Sequence, residues 1–334
     1  MHSNAFLGLS LALGLALAPA GAAALCDGPS FLDQMTPEEQ TALEAAVAAT
    51  PFADGLLWQA TRDDHQITLL GTLHIDAPSL PALQAVAAPY VTTADLLLVE
   101  ATKAEETALI KALTDDPAIF MITDGPTLPD RLPTEMWDKI SEAAKARGIP
   151  PFMVSQYQPW YLGLTLAIPP CAMAAISSSA PGLDHRIIAD AQAADVPVAA
   201  LEPWDTLIDV LRDGSIDEQI AQLPVALPPV ALQESIFAAM LDGFANARTA
   251  EMWETSRLAV ARIPDVDPAE AQAIFAQTEQ GLLIDRNLAW MPMILDAARD
   301  NSRLMVAAGA AHLPGDQGLL NLLRDDGWTL TRLD

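Results

Sequence analysis

Basic residues are scarce in this chain. Seventeen Lys and Arg face 44 Asp and Glu, a formal charge of −27, and only four of the basic residues are lysines. That balance argues strongly against nucleic acid or anionic membrane surfaces as partners, since both are held by clustered cations. It also places any cation-binding site in an attractive field. Cysteine is nearly absent: Cys26 and Cys171 stand alone and form no CxxC. In an oxidising compartment such a lone pair is expected to form one disulfide, tying the N-terminal region to the centre of the chain. No His-Glu-x-x-His occurs, so this is not a helix-borne zincin site. Ser177-Ser178-Ser179 lacks a Gly-x-Ser-x-Gly elbow, which gives a serine hydrolase poor support.

The first 24 residues contain no Asp, Glu, Lys or Arg. Phe6 to Ala20 is rich in Leu and Ala, and Gly21-Ala22-Ala23-Ala24 follows. We read residues 1–24 as a secretory signal cut after Ala24, although no basic residue precedes the apolar core. Leu25 stands where a lipobox wants Gly, Ala or Ser, so a lipid anchor on Cys26 is disfavoured. The mature protein is expected in the periplasm or secreted. Later apolar runs are too short to span a bilayer, so it is expected not to cross a membrane.

Residues 25–334 are expected to form one domain whose sheet is built from both ends of the chain. Thr36-Pro37-Glu38-Glu39 starts a helix with a capping box. Strands are predicted near 56–60 and 66–70, then a helix over 80–91 and a strand at 96–99. From about 103 to 300 the pattern is mostly helical, with Thr134 and Asp267 as helix starts and one strand at 196–201. It ends in a strand at 303–308, a helix at 318–325 and a strand at 328–333. The fold class is therefore α/β: a mixed central sheet flanked by helices, with a large helical insertion capping the strand ends.

Gly71-Thr72-Leu73-His74 and Gly309-Ala310-Ala311-His312 share one frame, Gly-x-x-His, and each follows a strand-like apolar run. An imidazole is a metal ligand or general base near neutral pH, and the glycine offers a sharp turn or close approach. Strand 96–99 ends in Glu100. His74, His312 and Glu100 together would give a two-His, one-carboxylate ligand set for a divalent metal ion of unspecified identity. The plainer alternative is two strand-end histidines satisfied by backbone hydrogen bonds.

Other residues carry weaker readings. Arg286, beside Asn287, is functional or pairs with Asp285 or a helix end. Asp184 is explained by helix capping, and Glu202 is either a supporting carboxylate or a loop residue. Tyr157 and Trp160 read as core, and His65 as an exposed turn residue.

As a set, Ile67–His74, Leu98-Val99-Glu100, Gly182-Leu183-Asp184, Leu201-Glu202, Arg286-Asn287 and the run from Gly309 through Gly318-Leu319 to Gly327-Trp328 resemble the TraB/GumN family. That family is related to the TIKI metalloproteases and, more distantly, to erythromycin-esterase-like enzymes. The resemblance covers essentially all of the mature chain. It implies an α/β fold with a helical portion and a site near the two motif histidines. In the proteolytic relatives, similar positions support metal-dependent peptide hydrolysis. Here they map to His74, Glu100 and His312, with Glu100 as ligand or general base and Arg286 as oxyanion or substrate-carboxylate partner.

Two functions are therefore carried forward. One is a metal-dependent hydrolase of a peptide, amide or ester bond. The other is a non-catalytic periplasmic protein that binds a small peptide or glycan in the same cleft. Either requires His74, Glu100, His312 and Arg286 to meet in space.

Overall fold

The computed structural model describes Cys26, residues 28–173 and residues 180–334. The expected leader at 1–24 and Ser177–Ser179 lie outside the described residues. Six strands form one sheet: β1 (Leu57–Arg62), β2 (His65–Thr72), β3 (Leu96–Val99), β4 (Val198–Ala200), β5 (Arg303–Gly309) and β6 (Thr329–Arg332). Their order is β4-β3-β5-β2-β1-β6. β4, β3, β5 and β2 run parallel, while β1 pairs antiparallel with both β2 and β6.

The two ends of the chain do build one sheet. β2 and β5 pair directly, with Leu69 opposite Val306 and Thr72 opposite Gly309. The parallel strands are apolar on both faces because helices cover both. Ile67, Leu69, Val306 and Ala308 pack with Trp290, Ile294 and Leu320 on one side. Leu70, Leu97, Met305 and Ala307 pack with Leu80, Val91, Leu183 and Ile187 on the other. Each fully buried aliphatic side chain stabilises the fold by roughly 1.5–3 kcal/mol. Truncating Ile67 to alanine is expected to cost about 2–5 kcal/mol.

Helix Pro37–Ala49 starts as its sequence dictates: Glu39 N–H donates to Thr36 Oγ1, and Thr36 N–H donates to Glu39 Oε2 at 2.7 Å. Asp267 caps helix Pro268–Glu279 by accepting from the Ala269 and Glu270 N–H groups. Thr134 differs from expectation. It is the first helical residue of Thr134–Ala146, and Pro133 holds the cap position. With Pro133 already shaping the entry of the helix, no hydroxyl cap is used there.

The helical middle has a core of its own, including Ile122, Leu128, Ile140, Leu162 and Leu166. Cys26 and Cys171 form a disulfide, with Cα atoms 5.3 Å apart across 145 residues of chain. Among the described residues, no single helix is long and apolar enough to cross a membrane.

Candidate functional site

The parallel strands deliver the candidate residues to one edge of the sheet. Read across that edge, Glu202 follows β4, Glu100 follows β3, His312 follows β5 and His74 follows β2. This is the carboxyl-end edge, where open α/β sheets place ligands. A cleft of about 200 Å³ opens there, lined by His74, Glu100, Asp184, Glu202 and Arg286, with Leu109, Ile188 and Leu207 on its sides.

The motif glycines serve spacing rather than turning. Gly309 keeps an ordinary φ of −49°. A Cβ there would stand 3.3 Å from Glu100 Oε1, the oxygen that accepts from the Gly309 N–H at 2.6 Å. Gly182 is tighter still, since a Cβ would fall 2.4 Å from the His74 carbonyl. Its bareness lets helix Leu183–Ala193 begin against the His74 backbone, where Leu183 N–H donates to Leu73 O at 2.9 Å. The first residues of that helix thereby reach the site.

Asp184 is the consequence. It does not cap its helix; Gly182 holds that position without a side-chain bond. Its carboxylate instead stands 2.9 Å from His74 Nδ1 and accepts from the Thr72 hydroxyl. The hydrogen bond and charge of Asp184 raise His74 to a pKa of about 9 against partial desolvation, with Glu100 adding to the rise and Arg286 opposing it. Burial pushes the Asp184 carboxyl up, but His74 and Thr72 outweigh burial and hold it below its usual range. At neutral pH the two form an ion pair whose imidazolium is two-thirds exposed.

His312 is the opposite case. It is buried at 4% exposure, its ring tilted against Trp290 with centroids 4.5 Å apart. Burial, opposed by the charge of Glu100 and aided by Arg286 and His74, lowers its pKa to about 4, so it is neutral. Asn287 fixes its tautomer. The Asn287 amide donates to His312 O at 3.3 Å and Gln317 O at 2.9 Å, so Oδ1 must accept from His312 Nδ1 at 2.7 Å. His312 Nε2 is left as an acceptor, 3.3 Å from Arg286 Nη1.

Arg286 enters from helix Asp285–Asp300, immediately after a wide π turn at Gln280–Ile284. Such turns re-aim the residues that follow them. All five of its N–H donors are engaged. Nε and Nη2 grip Glu202 at 3.0 and 2.7 Å, Nη2 also meets Glu100 Oε2 at 2.6 Å, and Nη1 serves Leu282 O at 3.0 Å and His312. Trp290, one turn on, stacks under the guanidinium at 4.7 Å and donates its Nε1–H to Glu202 at 3.0 Å. Burial pushes the Glu100 carboxyl up, but His312, His74, Arg286 and the Gly309 N–H together hold it below its usual range.

The structure thus joins His74, Glu100 and Arg286 in one cleft and seats His312 directly behind Arg286. Arg286 pairs with Glu100 and Glu202, not with Asp285. Asp184, Glu202, Asn287 and Trp290 are the residues that sequence reasoning undervalued. Helical spacing is the signal for two of them, since Asn287 and Arg286 stand three and four residues before Trp290 on one helix.

Two imidazoles and a carboxylate are donor types that a divalent cation accepts, but here His74 is an imidazolium and His312 Nε2 faces Arg286. Both imidazoles have Nδ1 anchored by a carboxylate or amide oxygen and present Nε2, the arrangement that orients histidine ligands, and a carboxylate lies near both. Among the described residues no three His, Cys, Asp or Glu side chains are gathered as a metal-holding group, and Arg286 lies between Glu100 and His312.

The model of the TraB/PrgY/gumN family matches residues 56–332, from the start of β1 to the end of β6. No curated protein matches the chain.

Proposed function

The chain belongs to the TraB/PrgY/gumN family, and we propose that it is a hydrolase of peptide, amide or ester bonds working at the strand-end cleft. One observation carries this reading. Two Gly-x-x-His motifs 238 residues apart deliver differently protonated histidines to adjacent parallel strands, with Glu100 on the next strand. Environments that push paired groups apart in pKa are the mark of acid–base chemistry.

In this proposal His74, His312 and Glu100 would hold a divalent cation. When bound, it would supply Lewis acidity and lower the pKa of a water nucleophile. Asp184 orients His74 through Nδ1, and binding requires the imidazolium to release its Nε2 proton. Asn287 keeps His312 in the tautomer that presents Nε2. Glu100, paired with Arg286 at 2.6 Å, would serve as the carboxylate ligand or as the general base. Arg286 acts as a fixed positive charge beside the reacting group rather than as a free donor, because its five N–H groups are already engaged. The apolar flanks of Leu109, Ile188 and Leu207 suit a small acyl group or a single apolar side chain.

The closed Arg286 network favours one second reading, non-catalytic capture of a small peptide or glycan by the same cleft. In either reading we place the protein in the periplasm or outside the cell. The Cys26–Cys171 disulfide and the uncharged N-terminal stretch support that placement.

Metal analysis of protein purified without chelators, for wild type and His74→Ala, tests the proposal. Stoichiometric metal lost in the variant, together with turnover of model amides or esters, supports the hydrolase. Absence of metal and turnover alongside unchanged ligand capture would establish the binder instead.

A further inference from the structure

A second cavity lies in the helical middle and shares no lining residue with the strand-end cleft. Its volume is about 890 Å³, within the range of small-molecule sites. One wall is helix Thr134–Ala146, and the facing wall is the Pro228-Pro229 break with the first turn of helix Val230–Ala245. Residues 263–266 close the third side. Much of the interior is apolar, with Met136, Leu227, Val230 and Ile263 contributing.

Arg147 lines this cavity and is 7% exposed. Its guanidinium bonds only neutral acceptors: Ile168 O, Ala143 O, Leu166 O and Gln233 Oε1, at 2.6–2.8 Å. Among the described residues no carboxylate stands within ion-pair distance of it, and one of its five N–H donors is uncommitted. Its three backbone acceptors lie at the C-terminal ends of helices Thr134–Ala146 and Pro159–Ala167, whose partial negative charge offsets part of the guanidinium's charge but supplies no counter-anion. The other buried arginine, Arg286, has two carboxylates. Burial alone moves Arg147, lowering its pKa.

A second positive feature meets the same wall. Helix Val230–Ala245 is 16 residues long, and Pro229 at its cap position provides no side-chain bond to the exposed N–H groups. Its first residue, Val230, lines the cavity, and Gln233 in its first turn holds Arg147 at 2.6 Å. A helix N-terminus carries a partial positive charge that favours anions. The lining also carries Asp138, Glu142 and Asp265; Asp265 pairs with Lys139 at 3.2 Å and Glu142 with Lys145 at 2.7 Å. The buried Arg147 and the start of helix Val230–Ala245 are thus the lining features that favour an anion, and the exposed carboxylates are not.

We propose that this cavity binds an amphiphilic carboxylate, an aliphatic chain lying along the apolar walls with its carboxylate against Arg147 and the start of helix Val230–Ala245. The proposal is independent of the hydrolase reading, since it uses none of the strand-end residues.

Dodecanoate below its micelle-forming concentration, titrated calorimetrically into the full chain, is the test, with dodecanol and dodecyltrimethylammonium as comparisons. Saturable one-to-one binding of dodecanoate, about tenfold or more tighter than dodecanol, is expected. Arg147→Met should remove that preference. Because this variant also loses helix-end contacts and risks unfolding, Val230→Trp provides an independent check. It places an indole among the lining residues at the start of helix Val230–Ala245 while leaving Arg147 untouched, and should weaken binding at least several-fold without lowering the melting temperature. Equal binding of the alcohol, tighter binding of the ammonium, or no saturable binding would each overturn the proposal. So would unchanged affinity in a folded Val230→Trp protein.

Discussion

Asn287 Oδ1 lies 2.7 Å from His312 Nδ1 and can only accept there, because the Asn287 amide already donates to two backbone carbonyls. The proton of this buried imidazole is thereby assigned to Nδ1. Asn287→Leu would strand that N–H and both carbonyls at a site 2% exposed. We expect it to destabilise the protein by about 1–3 kcal/mol in urea unfolding. Ring nitrogen NMR should show His312 as the Nδ1–H tautomer in wild type. A wild-type Nε2–H signature would defeat the assignment.

The two histidines should titrate on opposite sides of neutrality. His74 is raised to about 9 in the folded state against an ordinary 6.5. Its pairing with Asp184 therefore stabilises the protein fully below about pH 6.5, and that contribution fades as pH rises through 9. His312 is depressed to about 4, so the unfolded chain takes up its proton first. Stability is lost as pH falls from 6.5 towards 4, with a slope of about 1.4 kcal/mol per pH unit for one proton. Asp184→Asn should return the His74 midpoint towards 6.5 in an NMR titration. His312→Gln should flatten the stability slope between pH 4 and 6.5.

Much of the sheet was legible because parallel strands buried on both faces read as apolar runs, as at Leu96–Val99 and Leu304–Ala308. The placement of His74, Glu100 and His312 after the carboxyl ends of parallel strands was legible because each follows such an apolar run. Asp184 was misread for a physical reason. An Asp in the first turn of a helix has a ready local role, and only the close approach of Gly182 to His74 gives it a distant partner. Arg286 was likewise visible as an unusual charge, but its partners Glu100 and Glu202 lie 186 and 84 residues away. No local spacing encodes that meeting; the order β4-β3-β5 does.

Removing the disulfide should cost substantial stability. Cys26–Cys171 closes a segment of 145 residues, so the unfolded chain regains much freedom once it is cut. Cys26→Ser/Cys171→Ser is expected to lose about 2–5 kcal/mol relative to the oxidised protein. Non-reduced intact mass should show no free thiol in wild type. If thiol-reactive reagents label both cysteines of native protein, the pairing is refuted.

Arg286 holds Glu100 and Glu202 together in a network where all three side chains are 15% exposed or less. Substituting Arg286 with Met would leave two neighbouring buried carboxylates without a counter-charge. Removing one partner of a buried ion pair typically costs about 3–5 kcal/mol, much more than the loss of a surface pair. The deficit should shrink as pH falls, because Arg286 is one of the groups that hold the Glu100 carboxyl below its usual range. In the variant it would take up a proton at higher pH, relieving the repulsion. Adding Glu202→Gln to Arg286→Met should recover part of the loss, since one of the stranded charges is removed with little change of shape. Chemical unfolding of the single and double variants at pH 7 and pH 5 measures all of this. A single-variant cost under about 1 kcal/mol at pH 7, or a double variant worse than the single, would mean that Arg286 does not hold the site together.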